Sequence, residues 1–124
     1  MIIEYIKKIE ETIFSFNEII SDTTNSVKIY NYTQGLISGK IEFINKYELH
    51  YTELINTQKQ SKLKYKYHLM NDLNEMIFRY DNSKHHPEIK TFPHHKHIFK
   101  CILEAKEPEM IDILIEIFEI IKEN

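Results

Sequence analysis

The stretch "KLKYKYHLM" (62–70) alternates strictly, with Lys62, Lys64, Lys66 and His68 on one side and Leu63, Tyr65, Tyr67 and Leu69 on the other. A period of two fits a half-buried strand and no helix. The same period starts at "VKIYNYTQG" from Val27 and returns in "KIEFI" (40–44), "YELHYTELI" (47–55) and "EMIFRYD" (75–81), with "HIFKCIL" (97–103) as a last strand. Short connections between consecutive strands argue for an antiparallel meander and against a parallel sheet. Gly35 and Gly39, the only two glycines, are expected to mark a hairpin turn or bulge after the first of these strands.

Helical periodicity is confined to the two ends. Ile2, Ile6, Ile9, Ile13, Phe16 and Ile20 form one apolar stripe, which predicts a helix ending near Ser21. "SDTTNS" (21–26) is expected to break it, because these side chains compete for backbone hydrogen bonds. Pro108 suits the first turn of a closing helix whose polar stripe is Asp112, Glu116, Glu119 and Glu123. Nearly everything else from Met110 to Ile121 is apolar. That helix should pack between the sheet and the first helix, or offer a second face to a homodimer or partner. The expected fold is α+β: an N-terminal helix, five or six antiparallel strands and a C-terminal helix, with the helices on one face of the sheet. Residues 1–124 are expected to form a single domain, with no linker, internal repeat or low-complexity segment.

A single cysteine, Cys101, precludes an internal disulfide and fits a reducing compartment. No apolar run reaches the roughly 20 residues that span a bilayer, and "MIIEYIKKIEE" lacks the uninterrupted apolar core of a signal peptide. A cytoplasmic protein is the expectation. Charge is unevenly spread: residues 59–106 carry ten Lys/Arg against five acids, whereas 107–124 carry one lysine against six. A basic centre can attract phosphates although the formal net charge is −3. Lys62, Lys64, Lys66 and His68 could therefore follow a nucleic-acid backbone; Tyr65 or Tyr67 would stack on bases if exposed, but the expectation is that they pack under the helices.

"RYDNSKHHPEIKTFPHHKH" (79–97) concentrates five of the seven histidines and two of the three prolines. His95 and His97, two apart, point the same way on an extended chain and could chelate a metal with His85 or His86 and the carboxylate of Asp81. The spacing matches no stringent ligand pattern, and the expectation is chemistry without a metal or other cofactor. Histidine titrates nearest neutrality, so two imidazoles can divide base and acid roles. In RNA cleavage a base takes the ribose 2′-OH proton, an acid protonates the leaving oxygen, and cations stabilise the charged transition state. His94, His95 and His97 are the leading proton-transfer candidates, with His85 and His86 behind them. Arg79 and Lys96 are candidate phosphate contacts, and Asp81 could orient a histidine by accepting its second N–H. Pro87 and Pro93 would shape the loop whatever its role.

The same residues carry a resemblance. "IFRYDNSKHHPEIKTFPHHKH" resembles the signature of the TumE-type toxins, small proteins of bacterial and archaeal toxin–antitoxin modules. That pattern runs as a strand ending Arg-Tyr-Asp-Asn, a His-His-Pro, and a Thr-Phe-Pro-His-His-Lys-His. It is met here by Arg79–Asn82, His85–Pro87 and Thr91–His97. The resemblance implies a cytoplasmic toxin restrained by a cognate antitoxin, and by association a ribonuclease. The alternatives are a non-catalytic module binding nucleic acid or protein, and a histidine-ligated metal site.

Overall fold

The computed structural model describes residues 1–123. Helix α1 (Ile2–Phe14) leads into seven strands: β1 (Ile20–Ile29), β2 (Gln34–Phe43), β3 (Glu48–Asn56), β4 (Lys64–Met70), β5 (Met76–Asp81), β6 (His95–Ile98) and β7 (Cys101–Glu104). Helix α2 (Met110–Glu123) closes the chain. Strand order equals sequence order, and every neighbouring pair is antiparallel. The α+β meander is thus present, with seven strands in place of five or six. No helix among the described residues is long and apolar enough to cross a membrane.

Two local features depart from the expected pattern, and the first adds the extra strand. "HIFKCIL" does not run straight. Phe99 adopts φ 50°, a left-handed conformation that folds the segment into the β6–β7 hairpin. "SDTTNS", expected to be a break, lies inside β1, because β2 pairs with five of its residues, Asp22 to Ser26, within a nine-pair register. All of β1 beyond Ile20 is exposed, so it shows no apolar alternation to read. The helix accordingly stops at Phe14, and Phe16 and Ile20 reach the core from outside it.

Neither glycine makes a turn. The first hairpin turns at Asn31–Thr33, held by the Asn31 side chain, which accepts from the backbone N–H of Thr33 and of Gln34. Gly35 and Gly39 lie within β2, where a Cβ would stand 2.7 Å from Ile2 and 2.5 Å from the Tyr51 hydroxyl, respectively. Here glycine admits a close neighbour.

One core unites Ile2, Ile6, Ile9 and Ile13 of α1, Met110, Ile113, Leu114 and Ile117 of α2, and the inward side of β2–β5. Tyr65 and Tyr67 are fully buried in it, as the alternation indicates. Glu53 is buried among them. It accepts hydrogen bonds from Tyr5 and, at 2.6 Å, from Tyr67. Burial raises its pKa against the opposing pull of Lys62 and the two tyrosines.

Candidate functional site

Antiparallel pairing of β5 with β6 sets Arg79 opposite His97 and Asp81 opposite His95. Because side chains alternate, these four share the side turned away from the core, while Tyr80 and Lys96 face inward. The Ser83–His94 loop then returns across the sheet and lays His86 beside His95 and His97. Ring centroids are separated by 4.8 Å for His95–His97, 5.1 Å for His86–His95 and 5.6 Å for His86–His97.

Asp81 is the hub, only 4% exposed. Arg79 Nε donates to Oδ2 at 2.8 Å, and the Ser83 backbone N–H donates to Oδ1 at 2.9 Å. Burial, the largest single influence, pushes the Asp81 pKa up, but these hydrogen bonds outweigh it and hold it below the ordinary value. His95 Nε2 lies 2.9 Å from Oδ1 and His97 Nε2 lies 3.7 Å from Oδ2. His95 is fully buried, and its Nδ1 donates to the Pro93 carbonyl at 2.9 Å. A carbonyl only accepts, so that bond places the proton on Nδ1. Nε2 has no hydrogen-bond partner, although an Asp81 oxygen lies 2.9 Å away. His97 and His86 keep partly exposed rings. Burial lowers the His97 pKa, aided by His95, Arg79 and His86 and opposed by Asp81.

Register extends this corner into a row that crosses five strands. Lys40 pairs with His50, His50 with His68, His68 with Arg79, and Arg79 with His97. Thr52, Lys66, Asp81 and His95 form the next row. A groove of about 330 Å³ is lined by Lys64, Lys66, Arg79, Asp81 and His85. It adjoins a second of about 430 Å³ lined by Lys40, His50 and Ser38, and Thr52 and Lys66 border both. A separate groove of about 390 Å³ between α1 and β1 has no basic side chain in its wall. His68 has a lowered pKa, chiefly from burial and then from Arg79 and Lys66.

Three residues singled out in the sequence stand elsewhere. Lys62 precedes β4 and leaves its alternation. It is 6% exposed, donates through Nζ to the Pro108 carbonyl at 2.5 Å and stands 3.5 Å from Glu109. A cation enclosed in this way contacts no polyanion. Lys96 faces α2, 2.6 Å from Glu116 and above the Tyr80 ring. His94, next to His95 and hence on the opposite side of the strand, has its Nδ1 2.9 Å from the Tyr65 hydroxyl and is not part of the imidazole cluster. Lys64 and Lys66 do line the open groove. Lys40 and His50, unlike His68, were not among the sequence candidates. Only His68 had a signal there, its place on the lysine side of "KLKYKYHLM".

A family model described as Toxin TumE matches residues 7–124. No curated protein and no solved structure matches the chain.

Proposed function

We propose that this chain, which belongs to the TumE toxin family, is an endoribonuclease toxin that moves protons with loop histidines and calls on no metal for the chemistry. The family is one of toxin–antitoxin modules, so a cognate antitoxin is the partner that membership implies. The carrying observation is the convergence of His86, His97, Arg79 and Asp81 on one corner of a basic sheet face. We take both helices to lie on the core side, which leaves the opposite face to an RNA strand crossing Lys64, Lys66 and the Lys40–His97 row. Such binding weakens as salt rises.

In this reading His97 and His86, the partly exposed rings, divide the base and acid roles. The base takes the 2′-OH proton, the 2′-oxygen attacks phosphorus, the bond to the 5′-oxygen breaks, and the acid supplies its proton. The products are a 2′,3′-cyclic phosphate and a 5′-hydroxyl. Arg79 offers its terminal nitrogens to the phosphate while Nε stays on Asp81. His95, enclosed and bonded to Pro93, is a positioning residue. His94 and Lys96 are left out of the reaction.

On α2 only Ile111 and Ile115 are exposed large apolar residues to support a homodimer, and we give the antitoxin precedence as partner. The test is RNA incubation with wild type, His97→Ala and Arg79→Ala, each checked for folding. Cleavage by wild type alone supports the assignment. Undiminished cleavage in both variants ends it, and a salt-sensitive mobility shift without products favours a binding module.

A further inference from the structure

We propose that His86, His95 and His97, closed by Asp81, form a binding site for a zinc-class divalent metal, and that its occupation silences the site. One ring nitrogen from each of the three histidines lies within 4.8 Å of the others. Imidazole is a ligand these ions favour, through a neutral nitrogen with its lone pair free. His95 meets that requirement by construction. The Pro93 carbonyl holds the proton on Nδ1, as metal-bound histidines are commonly held by a backbone acceptor. Its Nε2 is left buried and unpartnered. This lone pair also stands 2.9 Å from a carboxylate oxygen. Two acceptors so close repel unless positive charge joins them, and either a second proton on the ring or a metal ion shared by nitrogen and carboxylate supplies it.

The remaining ligands can reach. Tetrahedral zinc, with bonds of about 2.0–2.1 Å to nitrogen, holds its ligand atoms about 3.4 Å apart. The cluster is wider than that by up to about 1.4 Å. His86 and His97 are partly exposed, so side-chain rotation can draw them in, while His95 is fixed. Asp81 supplies the fourth ligand through Oδ1, beside His95, and Arg79 remains on Oδ2. Four protein ligands leave no open position for a water or substrate, which is the pattern of a closed site, not a catalytic one.

Occupation would take the lone pairs of His86 and His97. The binding half of this proposal stands on geometry alone; the silencing half rests on the proton-transfer reading above. Metal-stripped protein titrated with Co²⁺ should bind one equivalent and show the visible absorption of tetrahedral cobalt, with Zn²⁺ displacing it. His86→Ala and His97→Ala, with folding verified by circular dichroism, should each weaken binding about tenfold or more. His94→Ala should leave it unchanged. Saturating Zn²⁺ should stop RNA cleavage, and chelator should restore it. Absence of the cobalt spectrum, or binding indifferent to both variants, overturns the site. Cleavage undiminished by saturating Zn²⁺ overturns the silencing. RNA left intact with and without chelator, alongside a normal cobalt spectrum, discards the ribonuclease and upholds the metal site.

Discussion

Replacing Lys62 with methionine separates a structural cation from a substrate-binding one. The methionine keeps most of the aliphatic stem, while the ammonium is lost from its place 5.6 Å and 5.7 Å from the Tyr65 and Tyr67 ring centroids. What goes is the ammonium, with its hydrogen bond to the Pro108 carbonyl and its attraction for Glu107 and Glu109. Buried Glu53 also loses the charge that most opposes its desolvation. Removing one partner of a buried charge pair costs about 3–5 kcal/mol, a large share of the ~5–15 kcal/mol that holds a domain together. At roughly 4 °C per kcal/mol for a chain of this size, the melting temperature should fall by roughly 10–20 °C. Lys64→Met, on the open face, should cost under about 0.5 kcal/mol. Denaturant titration followed by circular dichroism measures both. Adding Glu53→Gln should recover part of the loss, because the stranded charge disappears with its partner. The reasoning fails if Lys62→Met stays within about 1 kcal/mol of wild type. It fails equally if that variant remains stable and loses RNA affinity.

Other expectations follow from the same contacts. In salt-dependent RNA binding, Lys66→Ala should lower affinity and flatten the salt slope by about one contact, whereas Lys96→Ala should leave both unchanged and reduce stability. Gly39→Ala places a Cβ 2.6 Å from the Thr24 carbonyl and 2.5 Å from the Tyr51 hydroxyl. A cost of about 1–3 kcal/mol in chemical denaturation is expected. Glu53 gives the pH dependence. Its folded pKa is raised, so the folded state holds the proton more tightly than the unfolded chain. Its contribution is therefore full below the unfolded value of about 4.3 and lost as pH rises through the raised value. Wild-type stability minus that of Glu53→Gln, measured across this window, should decline with increasing pH.

What the sequence disclosed depended on whether a residue's neighbours lie nearby in the chain. Alternation in "KLKYKYHLM" identified β4 and its buried tyrosines, because burial there follows the pleat. It misplaced Lys62, since the strand starts at Lys64 and a pattern does not mark where pairing begins. "SDTTNS" looked like a break because its residues are turn formers; pairing with β2 overrode that preference in an exposed strand. Within the histidine loop, the same period predicts His95 and His97 on one side. It also excludes His94 from that side, although proximity in sequence had grouped all three. His68 already stood on the lysine side of its strand, whereas His86 enters through the path of the Ser83–His94 loop and His50 through cross-strand register. No local pattern specifies either.

The most direct test of the central claim is end analysis of RNA incubated with the purified chain in excess chelator. Wild type should yield fragments ending in 2′,3′-cyclic phosphate and beginning with 5′-hydroxyl, and folded His97→Ala should yield none. Intact RNA with wild type, or equal cleavage by the variant, would contradict it.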